Sequence, residues 1–517
     1  MKKVVKRSHN TKAATVSRAI AAKFCRNGEA CVGAGCLRGE DSSQVAACYQ
    51  SRPTCRSGLK PSAESTGDRQ LSRTILVICA THRDHRELPL LAPPGINFIF
   101  HDYASTPLED LINAREVGRC PVADPLAEIE RILNLVKGCE IAGVISSDDY
   151  PGSALAAAVA RQLGLPAPDP EVVLICQHKY LSRLAQKKHA PDVVPPFALI
   201  DVVNGASLPS TFAFPIFIKP VKSFFSIGAE RIASQVELSA LLPRWRELDE
   251  FFLPLDRMLD HYAGTSIGTK RLIAEELLKG EQVTVEGYAF GGKVHIMGVV
   301  DSVIFPGTFA FARFQYPSSL PQSVQARMSE IARTVMEGLG FDNGLFNIEM
   351  MYDEDADRIA IIEINPRMAS QFADLYEKVD GTSSYLVLLD VAQGQQPQFR
   401  ARAGRYPFAA SCVLRAFEDH VVAALPTEAD LERLTRLYPD IRIELHSAVG
   451  RKLSEDMQDG ISYRYGIVNL GGRDRTEVLE QFAACRKRLG MVLLPISSAA
   501  LPREFLPERP DVEGAST

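Results

Sequence analysis

The chain lacks any long apolar run. Nowhere in its 517 residues do 18 uninterrupted apolar residues occur, so no segment reads as a helix crossing a bilayer. No apolar core of 7–15 residues follows the basic stretch from Lys2 to Arg7, which argues against a secretory signal. Cysteine is present, 11 in all, but without paired spacing. Five of them (Cys25, Cys31, Cys36, Cys48, Cys55) fall in the first 70 residues, with no C-x2-C among them. A zinc site is therefore not expected there. The scattered remainder fits reduced cytoplasmic thiols better than a disulfide framework. Acids are scarce at the start. Residues 1–70 hold 13 Lys/Arg against 5 Asp/Glu, which leaves 45 against 58 for residues 71–517 and a net charge of −5 overall. An acidic body argues against a nucleic-acid partner.

What remains is an ordinary globular composition, 46% hydrophobic and 23% charged, and enough length for about three domains. Residues 1–70 show no sustained periodicity and are rich in Arg, Ser, Ala, Thr and Cys. That composition fits an organelle transit peptide, a disordered extension, or a start codon assigned too far upstream. Gly33, Gly35 and Gly39 lack the spacing and the preceding strand of a dinucleotide loop. Order begins at Thr74. Residues 74–80, 97–100 and 141–145 read as buried parallel strands, with helical patterns at 125–137 and 153–163. Such alternation implies an open α/β sheet. Its crevice loops are Thr81 to Arg86 and Ser146 to Tyr150.

The most informative stretch runs from Gly344 to Arg367. Phe346, Ile348 and Met350 alternate with Asn347, Glu349 and Met351. Further on, Ile362 and Ile364 alternate with Ile361, Glu363 and Asn365. The turn-forming residues 353–358 between them make a hairpin, and folding near 355–356 sets Glu349 opposite Glu363. Facing carboxylates repel. A divalent cation removes the conflict, since Mg²⁺ takes one or two carboxylates plus phosphate oxygens. From the residues alone the stretch is either a Glu349/Glu363/Asn365 metal site with Arg367 beside it, or a solvated acidic hairpin.

Glu363-Ile364-Asn365-Pro366-Arg367, after Phe346-Asn347-Ile348-Glu349, resembles the metal-binding end of the ATP-grasp superfamily. Those enzymes phosphorylate a carboxylate with ATP and hand the acyl phosphate to a nucleophile, usually an amine. Three further signatures stand upstream in the family order. Pro170 opens a helix expected to contain Lys179, which with Arg183 resembles the run whose lysine reaches the ATP phosphates. Residues 215–232 resemble the second signature, with Lys219 at a strand end before Pro220 and a loop in which Ser226 and Gly228 remain. A strand-end lysine and loop N–H groups suit phosphate oxygens. Two glycines usual in that loop stand here as Ser223 and Phe225, which makes the loop stiffer. The third, Glu275 to Glu281, resembles the segment joining the two lobes. By that resemblance the backbone of Glu276, Leu277 and Leu278 meets the adenine edge and Glu281 the ribose. By its residues alone it is an ordinary strand–turn–strand.

Residues 298–321 are aromatic, with Asp301, Arg313 and Tyr316 as polar members. This mix suits a pocket for a small acid, and equally suits core packing. An amphipathic helix is expected over 322–339. Residues 405–495 read as a separate α/β unit without a catalytic signature.

The resemblance implies an ATP-grasp fold of α/β class. Its parts would be a basic extension (1–70), a Rossmann-like preATP-grasp domain (71–170), an ATP-grasp domain (171–400), a small C-terminal α/β lid domain (401–500) and a loose tail (501–517). It implies a carboxylate–amine ligase of the L-amino-acid-ligase type, using ATP and Mg²⁺ or Mn²⁺ on small-molecule acid and amine substrates, in the cytoplasm, as a homodimer, with no membrane or nucleic-acid partner. In that scheme Lys219 and Arg367 are catalytic. A biotin carboxylase-like bicarbonate-activating enzyme is an alternative, although the chain carries no A-M-K-M-like biotin acceptor. A non-catalytic ATP-binding module is another.

Overall fold

The structure, a computed structural model, describes residues 73–102, 122, 124–202, 208–209, 212–223, 228–245, 252–455 and 462–496. The expected extension (1–70), Ser226 and the tail (501–517) lie outside the described residues. The described residues fall in two compact units by their contacts, Val136–Glu140 in one and the rest in the other. Every element below belongs to the second.

The first apolar runs pair as expected. Strands β1 (Arg73–Ile78), β2 (Ile96–His101) and β3 (Ile141–Ile145) form a parallel sheet of order β2-β1-β3, interleaved with helices α1 (His82–Leu91), α2 (Pro125–Leu135) and α3 (Ala154–Leu163). Ile75 to Ile78 are fully buried, as a strand covered on both faces must be. Thr81 caps α1 in a capping box with Asp84, so this crevice loop is largely spent on holding the helix start.

The next segment departs from expectation. One helix containing Lys179 was predicted. Instead α4 (Pro170–Gln177) ends at His178, and α5 (Lys179–His189) begins with the lysine itself. The Lys179 N–H donates to the Val221 carbonyl at 2.8 Å, which draws the chain off the helical path. The His178 ring caps the new helix by accepting from the Leu181 N–H. There follow β4 (Phe197–Ile200), β5 (Ile216–Pro220), β6 (Glu230–Ile232), α6 (Gln235–Trp245), α7 (Leu253–Ala263) and β7 (Leu272–Glu276). Their strands make an antiparallel sheet of order β4-β7-β5-β6 over a core of Ile200, Ile216, Ile218, Leu272 and Ala274.

The remaining elements are β8 (Glu281–Phe290), β9 (Lys293–Ile304), β10 (Phe311–Tyr316), α8 (Gln322–Gly338), β11 (Gly344–Asp353), β12 (Arg358–Asn365), α9 (Ala373–Asp380), α10 (Ser384–Ala392), β13 (Phe408–Ala416), β14 (His420–Ala424), α11 (Glu428–Leu437), β15 (Arg442–Leu445), β16 (Tyr463–Gly472), α12 (Arg475–Arg488) and β17 (Val492–Pro495). Eight of the strands form one antiparallel sheet of order β12-β11-β8-β9-β10-β13-β16-β15. One face packs Val283, Val285, Ile348 and Met350 against Met328, Val335 and Met336 of α8.

Two expectations change here. Ile361 was assigned to the face of Glu363. In the structure Glu349 pairs with Glu363 but Met350 pairs with Ile361, so Ile362 is a bulge. The extra residue turns Ile361 into the core with Ile359 and Ile364. Residues 405–495 were read as a separate unit, yet β13, β16 and β15 continue the central sheet through the β10–β13 pairing. A β10 left without that partner would present a row of open backbone groups.

Candidate active site

The β11–β12 hairpin places the carboxylates. Glu349 lies directly across from Glu363, and Asn347 across from Asn365. On the other side of β11, Glu349 faces Thr284 and Asn347 faces Glu286. Directly opposed residues share a face, so one polar surface runs over β12, β11 and β8. Asn365 Nδ2 donates to Asn347 Oδ1 at 3.0 Å, and Gln282 Nε2 donates to Glu349 Oε2 at 2.9 Å. Burial and the facing Glu363 push the Glu349 carboxyl up, to about 7. Burial also works against Glu363, but Lys179 and Lys219 outweigh it and hold that carboxyl below its ordinary value.

Both expected lysines arrive here, each on an acid. Lys179 Nζ lies 2.7 Å from Glu363 Oε1, and Lys219 Nζ lies 2.8 Å from Glu275 Oε2. Sequence reasoning passed over a third, Lys222, which is buried and paired with Asp149. Burial pushes Asp149 up, but Lys222 and Arg367 prevail and bring it down to about 2. Asp149 belongs to the crevice loop Ser146 to Tyr150, so that loop does reach the lysine cluster. Lys222 stands three residues after Lys219 in a run that was itself singled out. The usable signal was that both residues fall in segments already marked.

Arg367 is half-buried, with Nη1 donating to the Met368 carbonyl at 3.1 Å. Its charge acts on Asp149, Glu286 and Glu349. Glu286 was missed, although its alternation with Val283 and Val285 puts it on the polar face. Its Oε1 accepts from the Ala369 N–H at 2.6 Å. Burial pushes its carboxyl up to about 8.

The expected nucleotide segment is less uniform. Glu275 is buried and engaged by Arg183 at 2.6 Å and by Lys219. Arg183 also donates to the bulged Ile362 carbonyl at 2.8 Å, which ties α5, β7 and β12 together. Glu276 makes a two-point pair with Arg358 at 2.8 and 2.7 Å, and its N–H donates to Pro196. Leu277 and Leu278 are half-buried and Glu281 is exposed. Gly228 sits in a turn at φ 78°. Of the polar members of 298–321, Asp301 and Arg313 are joined through Gln315 and Tyr316 stands apart. Arg313 donates to Gln315, which donates to Asp301, at 2.8 and 2.9 Å. Tyr316 projects to the opposite face against Tyr376, with ring centroids 4.9 Å apart.

Among the described residues no group of three or more His, Cys, Asp or Glu is arranged to hold a metal. A Mg²⁺ ion that also binds phosphates needs fewer protein ligands. The donor set fits a hard cation. Two carboxylates face each other, amide side chains flank them, and one carboxyl is raised by burial and by its neighbour.

Three comparisons bear on this geometry. Residues 212–374 match the family model of the ATP-grasp domain. The chain is 26% identical over 164 residues to a D-alanine–D-alanine ligase of Chlorobaculum parvum, covering 30% of this chain and 38% of that protein. The matched region thus spans well under half of that relative. In fold, the chain resembles an L-amino acid ligase from Bacillus licheniformis at TM-score 0.60 and 14% identity, over 82% of this chain and 99% of that one. It also resembles the biotin carboxylase domain of Hydrogenobacter thermophilus 2-oxoglutarate carboxylase, solved with MgADP and bicarbonate. That likeness has TM-score 0.57 and 14% identity, over 82% of this chain and 91% of that one.

Proposed function

The chain carries an ATP-grasp domain, and on that premise we propose that it is an ATP-dependent ligase. It activates a carboxylate as an acyl phosphate and joins it to an amine of the amino-acid type, releasing ADP and phosphate. The observation that carries this reading is the Glu349–Glu363 pair, with Lys179 on Glu363 and Arg367 within electrostatic reach of Glu349.

Glu349, Glu363 and Asn365 are the residues that would hold Mg²⁺ or Mn²⁺. When bound, that ion supplies charge neutralisation for the phosphates. The lysines fit the same scheme. Each rests on a carboxylate, Lys179 on Glu363 and Lys219 on Glu275, so neither buried charge stands alone. In this reading Lys179 and Lys219 supply the positive charge that meets the phosphate oxygens. A carboxylate nucleophile then approaches a triphosphate whose charge is offset. Arg367 offers a planar guanidinium to the oxyanion that develops as the amine displaces phosphate. Leu277, Leu278 and Glu281 are assigned to the nucleoside, as are Gly228 and Ser226 to its phosphates. Glu275 takes a positioning role through Arg183 and Lys219.

The test is ADP release from ATP and Mg²⁺ across a panel of amino-acid pairs, with and without bicarbonate. Release that requires two amino acids, and falls at least about 100-fold in Glu363→Ala, supports the ligase. Release that depends on bicarbonate instead would reassign the chain. Nucleotide binding without turnover on any pair would make it a binding module.

A further inference from the structure

Strand alternation would point Phe311 and Phe314 to opposite faces. In the structure they share one. Phe311 pairs with Ile304 and Arg313 with Val303, so Ala312 is a bulge in β10. The two rings meet at 4.8 Å between centroids. Phe314 lies across from Ser302, and Ser302 Oγ is 3.3 Å from Thr284 Oγ1. Thr284 faces Glu349. The rings therefore lie on the face that bears the carboxylates. Phe314 is two strands from β8, about 10 Å across the sheet.

The floor beneath them is firm. Phe314 packs on Phe372 at 5.0 Å, and Phe372 is buried five residues after Arg367. The rim is open. Phe305 meets Phe417 edge-on at 5.1 Å. Phe309 and Phe417 are 56% and 46% exposed. Phe314 is anchored on the buried cluster that holds Phe372 and Tyr376. Phe417 and Phe309 stay open, and the Phe309 ring centroid lies 5.8 Å from that of Phe217 on β5. Large open rings beside a chemistry-bearing face suit a binding surface.

We propose that this aromatic shelf at the β9–β10 hairpin seats the side chain of one amino-acid substrate, and that this side chain is aromatic or large and aliphatic. The inference rests on the ligase reading and adds the substrate class. A carboxyl placed over β8, beside Glu286 and Arg367, leaves a gap to Phe314 close to the length of a large amino acid. Alanine or glycine would reach across none of it and leave the rings wet.

The experiment compares kcat/KM for phenylalanine or leucine with that for alanine, by ADP release, in the full chain and in Phe314→Ala and Phe309→Ala. Phe309 is exposed, so its removal leaves the fold intact. Leu437→Ala, an exposed apolar residue on α11, serves as the control. The expected result is a preference for the large side chain of about tenfold or more. That ratio falls about tenfold in Phe314→Ala, falls less in Phe309→Ala and is unchanged in Leu437→Ala. Amino-acid-dependent ADP release with equal or better use of alanine overturns the shelf and leaves the ligase standing. A ratio unmoved by either Phe substitution also overturns it. Release that no amino acid stimulates overturns the ligase reading and the shelf with it.

Discussion

Glu275 and Glu286 are both buried glutamates, and they respond to pH in opposite directions. Burial raises Glu275, but Arg183 and Lys219 outweigh it and lower its carboxyl from 4.5 to about 2. The folded state therefore holds this group ionised where the unfolded chain would protonate it. Its stabilisation is complete above pH ~4.5 and disappears as pH falls toward 2. Glu275→Gln is expected to lose about 3 kcal/mol at pH 7, with the gap to wild type closing between pH 4.5 and 2 in urea titrations. Glu286 is the reverse case. Burial raises it to about 8, so the folded state keeps a proton that the unfolded chain loses. Its contribution is complete below pH ~4.5 and falls as pH rises through 8. Glu286→Gln keeps the shape and removes the titration. It should match wild type near pH 4.5 and exceed it by about 4 kcal/mol at pH 8, read from the same titrations.

At the scale of elements, the turn from β7 into β8 carries the nucleotide assignment and also the strictest backbone demand. Gly280 has φ +116°, and a Cβ there would lie 1.9 Å from the Tyr352 carbonyl oxygen. Backbone, not a flexible side chain, is in the way. Gly280→Ala must move the turn or the end of β11. The expected cost is about 1–3 kcal/mol, measured by thermal unfolding. A raised KM for ATP should accompany it, because Glu276 to Glu281 move with the turn. An unchanged KM for ATP would remove this segment from the nucleotide site.

For the whole molecule, the C-terminal segment matters more than a lid would. It supplies β13, which closes the β10 edge. Its Glu444 receives Arg83 from α1 at 2.6 Å. Its Arg442 bridges Glu87 of α1 and Asp374 and Glu377 of α9. Removing it would leave several acids facing one another without their cation, and an open sheet edge as well. A chain ended at residue 400 is therefore expected to accumulate as insoluble aggregate. Soluble expression with a cooperative melt would instead show that residues 401–500 form an independent domain.

The sequence by itself determined the local features. The alternation of Phe346 to Met351 and of Ile362 to Asn365, joined by a short acidic turn, already paired Glu349 with Glu363. Pro220 after Lys219 marked a strand end, and the period of Val324, Met328 and Val335 marked a helix. Each of these depends on residues within a turn or a hairpin of one another. Only the tertiary structure decided which distant groups meet. The Ile362 bulge shares its carbonyl with Arg183 of α5, 179 residues away. The helix break before Lys179 goes with a bond to Val221. Lys222 meets Asp149 across 73 residues, and β13 finds β10 rather than a sheet of its own. None of these is written in a local period, because each is set by which surfaces remain to be covered once the local elements have formed.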